Sequence, residues 1–135
     1  MKKEKLDRPK VGVGVYILNN KKELLLMKRK GSHGEGTWCP PGGHLEYNET
    51  FEKCAKRETK EEVGVAIKDI QLMGVTNDIS RDNHYITVAM SAKIKSGKPK
   101  ICELDKCTEF GWFKLNHLPS PLFLPVKNFL KNYKL

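Results

Sequence analysis

The sequence predicts an α+β domain built around a mixed β-sheet. Three observations carry this. Short β-branched, apolar runs recur along the chain, separated by turn-forming residues. One charged helical stretch with a terminal glycine lies near the middle, and a second, shorter helical pattern ends the chain. Several strands with one central and one C-terminal helix make a mixed layered domain rather than a bundle or an all-β sandwich.

The elements follow in order. "VGVGVYIL" (Val11–Leu18) is β-branched and apolar and reads as a buried strand. "NNKK" is a turn and "ELLLMKR" a second strand, so the two are expected to form a hairpin. "KGSHGEG" (Lys30–Gly36) is a glycine-rich loop, and "TWCPPGG" is extended because Pro40 and Pro41 exclude a helix there. A helix is expected from Glu49 to Val63, stopped by Gly64. "AIKDIQLMGVTNDI" and "HYITVAMSAKI" are two further strands; "SGKPK" is a turn and "TEFGWFKL" a last strand. The final helix is expected over Leu122–Tyr133, with Pro125 tolerated only in its first turn. The G-x-G within "VGVGV" lacks the third glycine and the following helix of a dinucleotide fingerprint. Its small residues instead allow a ligand to approach the strand closely.

The 135 residues suit one domain with one core, expected to span 1–135 with residues 1–9 as a flexible basic tail. The N-terminal "MKKEKLDRPK" is basic but lacks the apolar segment of a signal peptide, and no apolar run is long enough to cross a membrane. A cytoplasmic location is therefore expected. Cys39, Cys54, Cys102 and Cys107 form no C-x-x-C pair, so neither zinc nor a disulfide framework is expected, and three of the four are expected as small buried hydrophobes. The net charge of +9 favours anionic partners, although much of the excess lies in the first ten residues and in "FLKNYKL", where solvated termini explain it equally well.

The central helix carries the chemistry. At ~100° per residue, Cys54, Ala55, Thr59 and Val63 share an apolar arc with Phe51, and Lys53, Lys56, Arg57 and Lys60 fall opposite. Glu58 and Glu62 fall inside the apolar arc, one turn apart, with Glu61 at its edge. Arg57 could reach Glu61 at i+4 but is expected to point away from the stripe. Two carboxylates on a core-facing stripe repel each other and lose solvation, at a cost of several kcal/mol per unpaired charge. A hard divalent cation such as Mg²⁺ would compensate them. An irregular surface helix with a mixed wheel accounts for the pattern as well.

The spacing adds a resemblance. Gly43, Glu49, Arg57, Glu58, Glu61, Glu62 and Gly64 stand as G-x5-E-x7-R-E-x-x-E-E-x-G, with the aliphatic Val65 following. This resembles the signature of the Nudix hydrolases. Upstream, "MKRKGSHGEGTWCPPGGHLE" is similar to the same stretch of MutT-like nucleoside triphosphate diphosphatases. The resemblance covers Val11 to Leu118 and departs at Thr59, where the family usually has a larger aliphatic residue.

The resemblance implies a Nudix α/β/α sandwich and hydrolysis of a nucleoside diphosphate linked to another group, with Mg²⁺ or Mn²⁺. It implies Glu58 and Glu62 as main metal ligands, Glu61 as a nearby or alternative ligand, and the Gly42 carbonyl as a further oxygen. Gly42–Gly43 would let the backbone approach the ion. Arg57 would orient the glutamates, and Glu49 would support the loop–helix junction. A box glutamate, or a later acid such as Glu103 or Asp105, would take the proton of the attacking water. Arg29 would face the substrate phosphates. His33, His84 and Tyr85 are candidates for base contact, Gly43 for close substrate approach, and Trp38 for packing.

Two function classes remain. One is an enzyme cleaving nucleoside triphosphates to monophosphate and pyrophosphate; the other is a Nudix fold that binds a nucleotide or RNA without turnover. The intact box favours the enzyme, and no RNA-binding motif is visible, so nucleic acid is not an expected partner. ADP-ribose, or another nucleoside diphosphate derivative, is the alternative substrate. That branch tends to carry a proline shortly past the box, and none occurs between Pro41 and Pro99. A homodimer is left open.

Overall fold

The computed structural model describes residues 7–31 and 33–135, so most of the tail expected over 1–9 lies outside the described residues. The strands are β1 (Lys10–Ile17), β2 (Glu23–Arg29), β3 (Trp38–Cys39), β4 (Gly42–His44), β5 (Ala66–Ile79), β6 (His84–Ser96) and β7 (Cys107–Lys114). The helices are α1 (Phe51–Val63) and α2 (Leu124–Asn132). The strands form a four-stranded sheet, in the order β4-β1-β6-β5, and a three-stranded sheet, β3-β2-β7. The larger sheet is mixed: β1 runs parallel to β6, and its other pairings are antiparallel.

The expected hairpin of the first two strands does not form. Asn19 caps the turn, accepting from the backbone N–H groups of Lys21 and Glu23, and a single bridge joins Leu18 to Leu24. The strands then part into different sheets. Both edges of β1 are taken, by β4 and β6, so β2 pairs instead with β3 and β7. It runs between two cores. Leu25 and Met27 pack with Val13, Val15, Ile17 and the inner face of α1. Leu24 and Leu26 pack with Tyr16, Trp38, Val126 and Phe129 on the α2 side.

The box helix starts at Phe51, two residues later than expected, because Thr50 serves as its N-cap and its hydroxyl accepts from the Lys53 N–H at 3.1 Å. Gly64 ends it in the left-handed conformation, φ 72°, returning its N–H to the Lys60 carbonyl. Cys54, Ala55, Thr59 and Val63 are buried, as the wheel requires. Pro125 sits in the first turn of α2. On that side Phe129 stacks on Tyr16 with ring centroids 4.8 Å apart. The segment before α2 is tied to β3 by the Trp38 N–H to the Pro121 carbonyl and the Phe123 N–H to the Trp38 carbonyl, both 2.9 Å.

Thr59 is fully buried, and its hydroxyl has no hydrogen-bond partner among the described residues. A buried donor left unpaired costs about 1–3 kcal/mol. Thr59→Val keeps the shape and removes the hydroxyl, so it is expected to stabilise the fold by about 1 kcal/mol. Urea denaturation followed by fluorescence measures this; a loss of stability would mean that the hydroxyl is satisfied.

Candidate active site

Helix α1 and the β4 strand hold the carboxylates together. Glu58 and Glu62 lie on the same face and line one cleft of about 450 Å³, together with Gly42 and Gly43. Glu62 accepts a hydrogen bond from the Gly42 N–H at 2.7 Å. Two close approaches require these glycines: a Cβ at Gly42 would collide with the Val13 carbonyl oxygen, and one at Gly43 would overlap the Glu58 carboxylate.

Arg57 does not point away from the stripe. Its guanidinium folds back toward the helix N-terminus, as long helical side chains do. Nη1 donates to Glu58 Oε1 at 2.7 Å, and Nε and Nη2 grip Glu49 at 2.8 and 3.0 Å. Nη2 also donates to the His44 carbonyl at 3.2 Å, which ties α1 to the end of β4. Glu61 is half exposed, 3.6 Å from Arg57, and lies outside the cleft wall. The sequence reading placed Glu58, Glu61 and Glu62 together; the fold brings only Glu58 and Glu62 to the cleft.

The electrostatics separate the acids. The hydrogen bonds from Arg57 pull the Glu49 carboxyl down to about 2. Burial pushes Glu62 up to about 8; its bond from Gly42 opposes the shift, and nearby Glu58 and Glu103 add to it. Glu58 is also raised by burial, with Arg57 opposing. Glu62 is thus a carboxylate with one backbone donor and no cation at hydrogen-bond distance among the described residues.

The facing wall is basic. Arg29 and Lys106 both line the cleft. Arg29 is held in place: Nε donates to the His33 carbonyl at 2.9 Å, and its guanidinium lies 4.2 Å from the centre of the Phe123 ring. Lys106 pairs with Glu103 at 3.3 Å. Further along the cleft, Tyr85 stacks against His33 and His44 with centroids 5.7 and 5.6 Å apart. Gly12 and Gly14 form part of the floor.

Other candidates fall elsewhere. His84 is turned to Asn77 at 2.6 Å and does not line the cleft. Trp38 is 8% exposed and packs edge-on against Phe113, a core role. Asp105 is exposed, whereas Glu103 is half buried and close enough to act on Glu62. Lys106, Phe123, Thr87 and Tyr16 line the cleft without having been singled out from sequence. They lie far from the box, on strands and loops whose spacing carries no motif. Cys39 and Cys107 also line the cleft, but burial pushes their thiols up to about 11 and 12, which leaves them inert.

The donor set fits a hard divalent cation. Both carboxyl groups are partly desolvated, Arg57 pairs with Glu58 alone, and the glycines leave room beside Glu58 that a side chain would fill. Among the described residues no three His, Cys, Asp or Glu side chains converge at ligand spacing. An ion here would therefore complete its shell from the backbone, water or a ligand's phosphates, a common arrangement for Mg²⁺.

A carboxyl with a raised pKa binds a proton in the fold that the unfolded chain has released, so its contribution to stability falls as pH rises from about 4.5 to 8. Glu62→Gln keeps the acceptor for Gly42 and removes the charge. In metal-free protein it is expected to stabilise the fold at pH 8 and to have little effect near pH 4. Melting temperatures across that range check this; a stabilisation independent of pH would contradict the buried-charge assignment.

The NUDIX domain family matches residues 8–133. A MutT NUDIX hydrolase from Burkholderia pseudomallei is similar in structure, with a TM-score of 0.88 and 32% identity over 95% of this chain and 100% of that one. The ADP-ribose pyrophosphatase of Methanocaldococcus jannaschii is 36% identical over 109 residues, 79% of this chain and 63% of that protein. The NAD-capped RNA hydrolase NudC of Pseudomonas fluorescens is 26% identical over 93% of this chain and 43% of its own length. The chain thus spans less than two thirds of the length of either curated relative. With the family matched across nearly the whole chain, and the acidic box residues of α1 set against the glycines of β4, this chain belongs to the Nudix hydrolase family.

Proposed function

We propose that this protein is a divalent-metal-dependent pyrophosphohydrolase that cleaves nucleoside triphosphates, or related nucleoside diphosphate derivatives, to a nucleoside monophosphate and pyrophosphate or its equivalent. One observation carries this reading. The acidic pair Glu58 and Glu62 and the basic pair Arg29 and Lys106 line the same cleft, beside an aromatic stack. A phosphoanhydride carried on a nucleoside matches both ends.

Mg²⁺ or Mn²⁺, held by Glu58 and Glu62 with the Gly42 carbonyl, would polarise a bridging phosphate and lower the pKa of a water. The chain's own residues supply the rest. Arg57 holds Glu58 in place while Glu49 and the His44 carbonyl hold Arg57. Arg29 offers a planar fork to the phosphates, pre-set by its bond to His33 and its contact with Phe123. Lys106 adds a second charge. Glu103, the later acid nearer Glu62, accepts the proton of the attacking water. His33 and Tyr85 border the base.

A second reading, hydrolysis of ADP-ribose, is favoured by the 36% identity to a protein named ADP-ribose pyrophosphatase. Turnover of a nucleoside triphosphate panel beside ADP-ribose and NADH, with Mg²⁺ and chromatographic identification of products, separates the two. Triphosphates are expected to give monophosphate and pyrophosphate, with Glu62→Gln and Glu103→Gln strongly impaired. Turnover confined to ADP-ribose would replace the first reading with the second, and turnover of none would overturn both.

The Arg29 assignment has its own check. Lysine keeps the charge but has no fork and cannot reproduce the contact with the Phe123 ring. Arg29→Lys is expected to lower kcat/KM by the equivalent of about 1–3 kcal/mol, the usual size of one charged hydrogen-bonding partner lost. The apparent Mg²⁺ affinity should hold. Equal, small losses in Arg29→Lys, Lys28→Ala and Lys30→Ala would reduce Arg29 to one charge in a general field.

A further inference from the structure

The cleft continues away from the carboxylates along the α2 side of the larger sheet. The register puts Gly12 and Gly14 beside Thr87 and Ala89 on one face, with Thr76 and Asp78 of β5 in the next row. A methyl group on Gly14 would meet Pro40 Cγ, Tyr16 Cε2 and Thr87 Cγ2 at 3.7–3.9 Å, ordinary contact distances, so the bare glycine keeps this part of the cleft floor open. Phe123 and Val126 line the cleft from the α2 side. Tyr16, Pro40, Phe123 and Val126 give this end of the cleft apolar and aromatic walls, a lining against which a flat ring can pack.

Its polar lining comes from a cluster outside the Nudix box. Asp78 is 3% exposed, and among the described residues no basic side chain pairs with it. Three neutral donors satisfy it instead. Asn128 Nδ2 of α2 donates to Oδ1 at 2.9 Å, while the hydroxyls of Thr76 and Thr87 both donate to Oδ2. The cluster therefore fixes the direction of the Thr87 hydroxyl. Thr87 has one proton and gives it to Asp78, so its oxygen can only accept from anything else. Thr76 and Asp78 are buried; Thr87 is the member that lines the cleft.

Resting on the nucleotide reading of the same cleft, we infer that Thr87, held as a pure acceptor by Asp78, selects nucleobases that present an exocyclic amino group over those that present a carbonyl at the same position. An amino group donates to Thr87. A carbonyl would set lone pair against lone pair and leave both acceptors unpaired on desolvation. The selection lies in the base slot and is independent of the metal-binding carboxylates.

The test uses amino and oxo partners, ATP with ITP and CTP with UTP, each pair measured on one preparation so that the folded fraction cancels from the ratio. Wild type is expected to favour the amino nucleotide by about tenfold in kcat/KM for at least one pair, the size of one hydrogen bond made or left unpaired. Thr87→Val should bring that ratio close to one, and Thr87→Ser, which keeps the hydroxyl, should restore it. A purely structural role for Thr87 would lower both members of a pair equally. Calorimetric titration with AMP, IMP, CMP and UMP without metal reads the same preference in binding. If no nucleotide is turned over, the hydrolase reading fails while the titration still decides the base preference. Equal affinities within both pairs in wild type, or a preference that survives Thr87→Val, would overturn the inference.

Discussion

Everything in the active-site region depends on holding two carboxylates on the buried side of α1. Glu62 is the more extreme of the two, with one backbone N–H as its hydrogen-bond partner and a pKa pushed to about 8 by burial. A charge so placed opposes folding in the absence of a counter-charge. The surrounding fold accommodates it rather than removing it. Gly42 and Gly43 bring a backbone edge against the helix, and Arg57 neutralises Glu58 but not Glu62. The uneven compensation leaves Glu62 without a counter-charge, the condition under which the proposed cation would bind.

Arg57 links this electrostatic problem to the architecture. Its three donor nitrogens reach Glu49 in the turn before the helix, Glu58 on the helix and the carbonyl of His44 at the end of β4. A fork with five N–H groups can serve three partners at once, whereas an ammonium could not hold the same planar geometry. The loop, the helix and the strand are thereby locked into one unit. The glutamates are positioned by that unit as much as by the helical spacing.

The cleft combines two kinds of surface that the fold keeps apart. The charged end lies where α1, β4 and the loop before β7 meet, and there Lys106, paired with Glu103, joins the lining. The apolar end lies on the opposite side of β1, above the two glycines, where α2 packs down through Phe129, Asn128 and Tyr133. Under the proposed function, chemistry at one end and recognition at the other can therefore vary separately. The buried Asp78 network belongs to the second end and fastens α2 to β5 and β6.

The box was legible in the sequence because its residues are local. Glu58 and Glu62 share a face by helical period alone, Gly64 stops the helix, and the burial of Cys54, Ala55, Thr59 and Val63 follows from the same wheel. The strands were legible from their β-branched runs, and β5 matches its expected span from Ala66 to Ile79. Partner choice was not legible, because hydrogen bonding between strands depends on which edges are already occupied. Thus β2 left β1 for β3 and β7. The direction of Arg57 was misjudged for a related reason: a wheel fixes where a side chain leaves the helix, not where a long flexible one ends. Glu103 was separated from Asp105, and Thr87, Lys106 and Phe123 were brought to the cleft, only by contacts between elements remote in the chain. Local periodicity determined the acidic helix α1 and most of the strands; long-range packing decided which acids face the cleft and what surrounds them.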